Sequence, residues 1–203
     1  MRATVRVGIV DSGINPRDRQ VGSVAGGIGI RFRDGAVDVD DDWEDALGHG
    51  TAVAATIRGL APHASLYSVR VFHRALEAHV EAILYAIEWA ARERLDLLNL
   101  SLGCESFERE REFREASARA REAGVVLVSA ADALPGVLPG SFPVRSDPEL
   151  EEDRLRLEDG VYYAAPWARS RGELPREKNL HGTSFAVARV TGLTAASLSL
   201  RRA

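Results

Sequence analysis

Apolar and polar positions alternate between two kinds of run. Val5, Val7, Ile9 and Val10 form a β-branched run that stops at Asp11. A near-continuous run of this type is the mark of a parallel strand buried on both faces. Residues 65–72, 96–102 and 125–129 repeat it, with a shorter strand around 28–32. Helical spacing fills the gaps. Within 77–94, Val80, Ile83, Leu84, Ile87 and Ala91 fall on one face. Residues 108–123 are heavily charged, which predicts a solvated helix ended by Gly124. Residues 185–193 are small and mostly apolar all round, which predicts a buried helix. Strands alternating with helices at this spacing predict right-handed crossovers and a parallel sheet, an α/β fold.

The pattern loosens after Ala131. Prolines and glycines at 135–143 predict loops, residues 154–157 and 160–165 a hairpin across Glu158-Asp159, and 166–178 a polar loop leading to His181. The first seven residues read as the start of a strand, with no signal peptide or pro-segment in view, so a cytoplasmic protein is expected. No repeat, low-complexity tract or linker divides the chain. Residues 1–203 are expected to form one domain, long enough for a substantial core.

Charge and cysteine usage narrow the partners. A formal net charge of -4 argues against a general nucleic-acid or anionic-membrane binder. The single cysteine, Cys104, excludes an internal disulfide framework and a multi-cysteine zinc site, and reads as a small packing residue. No apolar run approaches the length of a transmembrane helix.

Three polar residues then stand out. Ser184 follows Gly182-Thr183 at the start of the buried helix, where a nucleophile gains from the helix dipole and from unpaired backbone N–H groups. A serine needs a base, and the base an orienting acid. His49 lies between Gly48 and Gly50 ahead of a small-residue helix, and Asp11 ends the first strand, where ligand sites of α/β sheets gather. Each also has a bland reading: a structural histidine, and a turn or cap carboxylate. The loop carrying Asp38, Asp40, Asp41, Asp42, Glu44 and Asp45 admits three readings. It is a solvated loop, a calcium site, or a negative patch that reads basic substrate residues; its spacing does not match an EF-hand loop. No phosphate-cradling glycine motif follows the first strand, so a nucleotide site is not expected.

Asp11, His49 and Ser184 stand in the chain order of subtilisin. From about residue 4 to 200 the sequence resembles the subtilisin-like serine proteases, the subtilases. The resemblance is carried by residues 7–14, 48–51, 61–67, 87–90, 98–103 and 182–184. It implies a three-layer fold with a central, mostly parallel sheet, helices on both faces and shortened loops. It implies a serine endopeptidase in which Ser184 attacks, His49 relays the proton and Asp11 holds the imidazole; no cofactor and no metal are expected, and no recognisable family calcium loop remains. Ser101, Leu102 and Gly103 would pair with extended substrate. The Ser184 backbone N–H would be one oxyanion donor.

The departures from the family also carry information. Subtilases place an asparagine after the strand matching 125–129, and its amide is the second oxyanion donor. This chain reads Ser129-Ala130-Ala131-Asp132-Ala133. Losing that donor costs ~2.7–4 kcal/mol in subtilisin. A protonated Asp132 could replace it; otherwise Asp132 is a loop residue and another donor, such as His181, serves. The usual proline four residues after the serine is Ala188. A narrower resemblance is to the small subtilases that remove leader peptides from modified peptides, a group that includes the maturation protease of quinohemoprotein amine dehydrogenase. It implies a peptide or protein substrate, such as a leader-bearing crosslinked precursor, and a complex with a peptide-modifying enzyme. The alternative is a subtilase fold that binds a peptide without cutting it.

Overall fold

The computed structural model describes residues 4–170, 172 and 178–202. The central strand is β1 (Arg6–Asp11). It pairs in parallel with β4 (Ser65–Arg70) on one side and β5 (Leu97–Leu100) on the other. Beyond β4 lies β2 (Gly26–Arg33); beyond β5 lie β6 (Val126–Ala130), β7 (Phe142–Ser146) and β9 (Val161–Ala164), all parallel to their inner neighbours. Two antiparallel strands close the edges, β3 (Ala36–Asp40) on β2 and β8 (Arg156–Glu158) on β9. The sheet order is β3-β2-β4-β1-β5-β6-β7-β9-β8.

Alternate residues of β1 serve two cores, which is why its sequence is apolar on both faces. Val7 and Ile9 pack with α1 (His49–Leu60) and α4 (Thr183–Arg201). Val10 packs on the other face with α2 (Val80–Arg92) and α3 (Glu110–Glu122). The result is three layers, α1/α4, sheet and α2/α3. Gly8 interrupts the β-branched run because a Cβ there would lie 2.6 Å from Leu95 Cδ1 and 2.8 Å from Leu98 Cδ1. Gly192 of α4 plays the same part against α1, where a Cβ would come within 3.0 Å of Leu60 Cβ. In the same helix Arg189 is only 2% exposed, and its guanidinium donates to the Trp167 carbonyl at 2.7 Å and pairs with Glu152 at 2.8 Å.

The expected parallel α/β core is present, with two strands that the pattern did not predict. β3 lies inside the acidic stretch, and β7 carries Pro143 in the region read as loops. α2 starts at Val80 rather than at 77, and α3 follows a single 3₁₀ turn, Phe107–Arg109. The hairpin forms across Asp159-Gly160, both with positive φ (49° and 79°). The expected strand start at residues 1–3, and residues 171 and 173–177 of the polar loop, lie outside the described residues. No described helix is long and apolar enough to cross a membrane.

Candidate active site

Asp11 ends β1 with its side chain fully buried. Its carboxylate accepts the Ser12 N–H at 2.7 Å and lies against His49 Nδ1, 2.8 Å from Oδ1 and 2.9 Å from Oδ2. An ionised Asp11 accepts from Nδ1–H, which fixes the tautomer and leaves the Nε2 lone pair free to take a proton. His49 is the first residue of α1, half-buried, with its ring centroid 5.5 Å from that of Phe185 in α4. Burial alone would lower its pKa. The hydrogen bond and charge of Asp11, and the charge of Asp45, outweigh burial and hold it above its ordinary value of 6.5.

The start of α1 is fixed from outside the helix. Gly48, in the N-cap position with φ 87°, has no side chain to cap it. Asp45 and Ser12 cap the helix in its place. Asp45 Oδ2 accepts the Thr51 N–H at 2.9 Å and the Thr51 hydroxyl at 2.5 Å. Its Oδ1 accepts from Leu47 N–H (2.8 Å), Gly48 N–H (2.9 Å) and the Ser12 hydroxyl (2.9 Å). Ser12 Oγ in turn accepts the Gly50 N–H at 2.9 Å. One carboxylate thus ties the turn after Asp11 to the turn before His49. Burial raises the Asp45 pKa, but the hydrogen bonds from Thr51, Gly48 and Leu47 outweigh it and hold the group below the ordinary carboxylate value. The two turns lie flush: a Cβ on Gly50 would run into the Gly13 carbonyl and approach Asp11 Cβ to 3.0 Å.

The acidic stretch is part strand and part solvated turn: Asp38, Asp41, Asp42 and Glu44 are exposed, and several of its carboxylates also have partners within the fold. Asp38 and Asp40 belong to β3. Asp40 pairs with Arg31, and Asp42 with Arg31 (2.8 Å) and Arg70 (2.7 Å). Asp45 is occupied by backbone and hydroxyl donors. The carboxylates of Asp40, Asp42 and Asp45 are already matched inside the fold. No cluster of three or more metal-ligating side chains occurs among the described residues.

Ser184 enters from the neighbouring helix of the same layer, as the second residue of α4. Gly182 precedes that helix at φ 148°, ψ 171°, a conformation open essentially to glycine alone. This glycine turns the chain sharply into the helix and leaves Ser184 half-buried. Its hydroxyl donates to the Ser101 carbonyl at 3.2 Å. The stretch just past β5 is tied to α4 a second time. Buried Asn99 donates to Ser101 Oγ at 2.8 Å and accepts from the Thr191 hydroxyl of α4 at 3.0 Å. His49, Ser184, Ser101, Leu102 and Gly103 line one cleft of about 360 Å³. Sequence reasoning therefore selected six residues that the fold gathers, five in the cleft and Asp11 behind His49. It missed Asp45, Ser12, Asn99 and Thr191, which position them.

Neither candidate for the second oxyanion donor reaches this cleft. Asp132 is exposed, in the turn beyond β6. Its buried neighbour Ala133 lies against the cleft wall: a Cβ on Gly103 would come within 2.5 Å of the Ala133 Cβ. The backbones of Cys104 and Leu134 exchange two 3.0 Å hydrogen bonds there, which fixes which residue faces inward. His181 is exposed, with its ring 5.3 Å from Trp167. Cys104 is half-buried, its thiol donating to the Ser106 carbonyl at 3.3 Å.

With that geometry in hand, comparison with known proteins is informative. The sequence model of the Subtilase family matches residues 2–132. The chain is 30% identical over 212 aligned positions to Subtilisin Savinase of Lederbergia lenta, an alignment that takes in 94% of this chain and 75% of that protein. It is 33% identical over 135 positions to the Minor extracellular protease Epr of Bacillus subtilis (strain 168), across 62% of this chain and 19% of Epr. It is 34% identical over 138 positions to Subtilisin DY of Bacillus licheniformis, across 64% of this chain and 47% of that protein. The chain thus spans less than half the length of Epr and of Subtilisin DY. Among solved structures, a cold adapted subtilisin-like serine proteinase superposes with a TM-score of 0.73 at 22% identity, over 98% of this chain and 76% of that one. At that identity the likeness establishes the fold.

Proposed function

This chain belongs to the subtilase family, and on that premise we propose that it is a serine endopeptidase working through Asp11, His49 and Ser184. The observation that carries the proposal is the Asp11–His49 pair, 2.8 Å apart, beside a serine at the start of a buried helix in the same cleft. Ser184 leaves the Ser101 carbonyl, passes its proton to His49 Nε2 and attacks the scissile carbonyl. The imidazolium formed is stabilised by Asp11 and by the charge of Asp45. First-turn N–H groups of a helix lack intrahelical partners, so the Ser184 N–H is available to the developing oxyanion. His49 then returns the proton to the leaving amine, and water repeats the cycle on the acyl-enzyme. Substrate would lie extended along Ser101, Leu102 and Gly103.

The narrower proposal is selective removal of a leader peptide, in the cytoplasm, from a modified precursor such as a crosslinked small subunit, in company with the enzyme that modifies it. The small cleft and shortened loops suit a single cut better than bulk digestion. Mass spectrometry of leader-bearing precursors, incubated with wild type and with Ser184→Ala, tests it. One Ser184-dependent cut at a fixed bond is expected, and indiscriminate fragmentation would refute it.

Two observations favour a second reading, a peptide binder that does not cut. The Ser184 hydroxyl donates to Ser101 rather than to His49, and the apolar Ala133 stands at the cleft wall. A fluorophosphonate probe separates the two. Labelling that vanishes in Ser184→Ala supports the enzyme; a folded wild type that resists the probe supports the binder.

A further inference from the structure

Beside the cleft lies a second pocket of about 630 Å³, built from β2, the segment after β4 and the start of α2. Glu77 and Ala78 line both, so the two form one continuous surface. Its charges are unlike those of the chain as a whole. Arg31 lines it, but its charge is matched by Asp40 and Asp42. Arg33 and Arg74 also line it, are exposed, and enter no ion pair among the described residues. The one carboxylate on its wall is Glu77. His79 lines the rim, its ring tilted against Phe32 at 5.2 Å, and as the N-cap residue of α2 it makes no side-chain cap bond. His73 donates Nε2–H to the Ile30 carbonyl at 2.8 Å, and burial together with Arg31 and Arg70 lowers its pKa.

We propose that this pocket is a substrate subsite for an acidic side chain, an Asp or Glu several residues from the scissile bond, held by Arg33 and Arg74. The inference rests on the endopeptidase reading for its orientation: substrate extended along Ser101–Gly103 would lie beside the Glu77–Ala78 wall that the cleft shares with the pocket. It reverses the charge sense suggested by the acidic stretch in the sequence. Asp40, Asp42 and Asp45 are matched by Arg31, Arg70 and backbone donors, whereas Arg33 and Arg74 stand beside Glu77 with no ion pair among the described residues.

The test is a binding measurement that involves no hydrolysis. Fluorescent decapeptides carrying a single Glu, scanned along the sequence, are compared with their Gln counterparts by anisotropy on the non-cleaving Ser184→Ala protein. At one position the Glu peptide is expected to bind about tenfold tighter at low salt, the scale of two exposed ion pairs acting together. The preference should shrink in 0.5 M salt, where the Debye length falls to about 4 Å. It should vanish in Arg33→Gln/Arg74→Gln, with the Gln peptide bound as before. Equal binding of Glu and Gln peptides at every position, no binding of either, or a preference that survives the double substitution overturns the proposal. Failure of the endopeptidase reading shows separately, as absence of Ser184-dependent probe labelling in a protein that still prefers the acidic peptide.

Discussion

Removing the Asp45 carboxylate gives the most direct test of how the site is held. It receives five hydrogen bonds, three on Oδ1 and two on Oδ2. They do not count equally. Leu47 and Gly48 are exposed, so water can replace the carboxylate at their N–H groups. Thr51 is 4% exposed and Ser12 fully buried. Their hydroxyls can reorient, but the Thr51 N–H cannot. Stranding a buried donor costs about 1–3 kcal/mol, and losing a helix cap typically about 1 kcal/mol. These overlap at Thr51, so Asp45→Ala should destabilise the fold by about 2–3 kcal/mol. Asp45→Asn keeps one acceptor oxygen and should lose roughly half as much. Guanidinium denaturation measures both. The pH dependence follows from the depressed folded-state pKa. The Asp45 contribution is present above the unfolded value of 3.8 and fades as pH falls through the folded value, so wild type and Asp45→Asn should converge in strong acid. The rate of fluorophosphonate labelling reports the site itself, and should fall in both variants because His49 opens the helix that Asp45 caps. Asp45→Ala within about 0.5 kcal/mol of wild type, the range of an ordinary surface substitution, would refute the reasoning.

Three further outcomes follow from the same geometry. His49 must be neutral to act as base, so labelling should rise with pH at a midpoint above 6.5, while the stability lent by the Asp11–His49 pair, complete below the unfolded pKa, is lost through the same range. Asp11→Asn should lower that midpoint and slow the reaction by about 10⁴-fold; a wild-type midpoint at or below 6.5 would contradict the pairing. Gly50→Ala drives a methyl into the Gly13 carbonyl and against Asp11, and should cost about 1–3 kcal/mol with a larger loss of labelling; an unchanged melting temperature would show that the turns can part. Thr191→Val leaves the buried Asn99 carbonyl without its hydroxyl donor and should cost about 1–3 kcal/mol, read by denaturant midpoint, with a preserved midpoint counting against the Asn99 link.

The parts of this molecule that were legible in sequence are those fixed by local pattern. β1 reads from four apolar residues and a terminal aspartate, and its two-faced burial follows from their type. Asp11, His49 and Ser184 each sit beside a glycine that a sharp turn requires. β3 was hidden because its composition is acidic and it is held by backbone pairing to β2, although Asp34-Gly35 between them is a hairpin signal and takes positive φ at both residues. β7 was hidden by Pro143, which pattern reading demotes from a strand. Asp45 looked like one of six carboxylates in a polar run. Its role depends on donors brought from residues 12 and 51, and no composition shows that. Asp132 failed for a related reason. Which of two adjacent residues faces a cleft is decided by the register of the Cys104–Leu134 pairing, and a one-residue step exchanges inside for outside.

The site joins distant parts of the chain. Asp11 and His49 lie 38 positions apart and meet through neighbouring parts of the α1 side of the sheet, while Ser184 finds Ser101 across 83 positions and belongs to the last helix. The His49 ring also packs on Phe185 of α4, so the base depends on the same helix that carries the nucleophile. Parallel pairing over such separations is slow to form. If the serine acts as proposed, the docking of α4 on α1 both closes that core and brings Ser184 beside His49, so completing the fold and completing the site coincide.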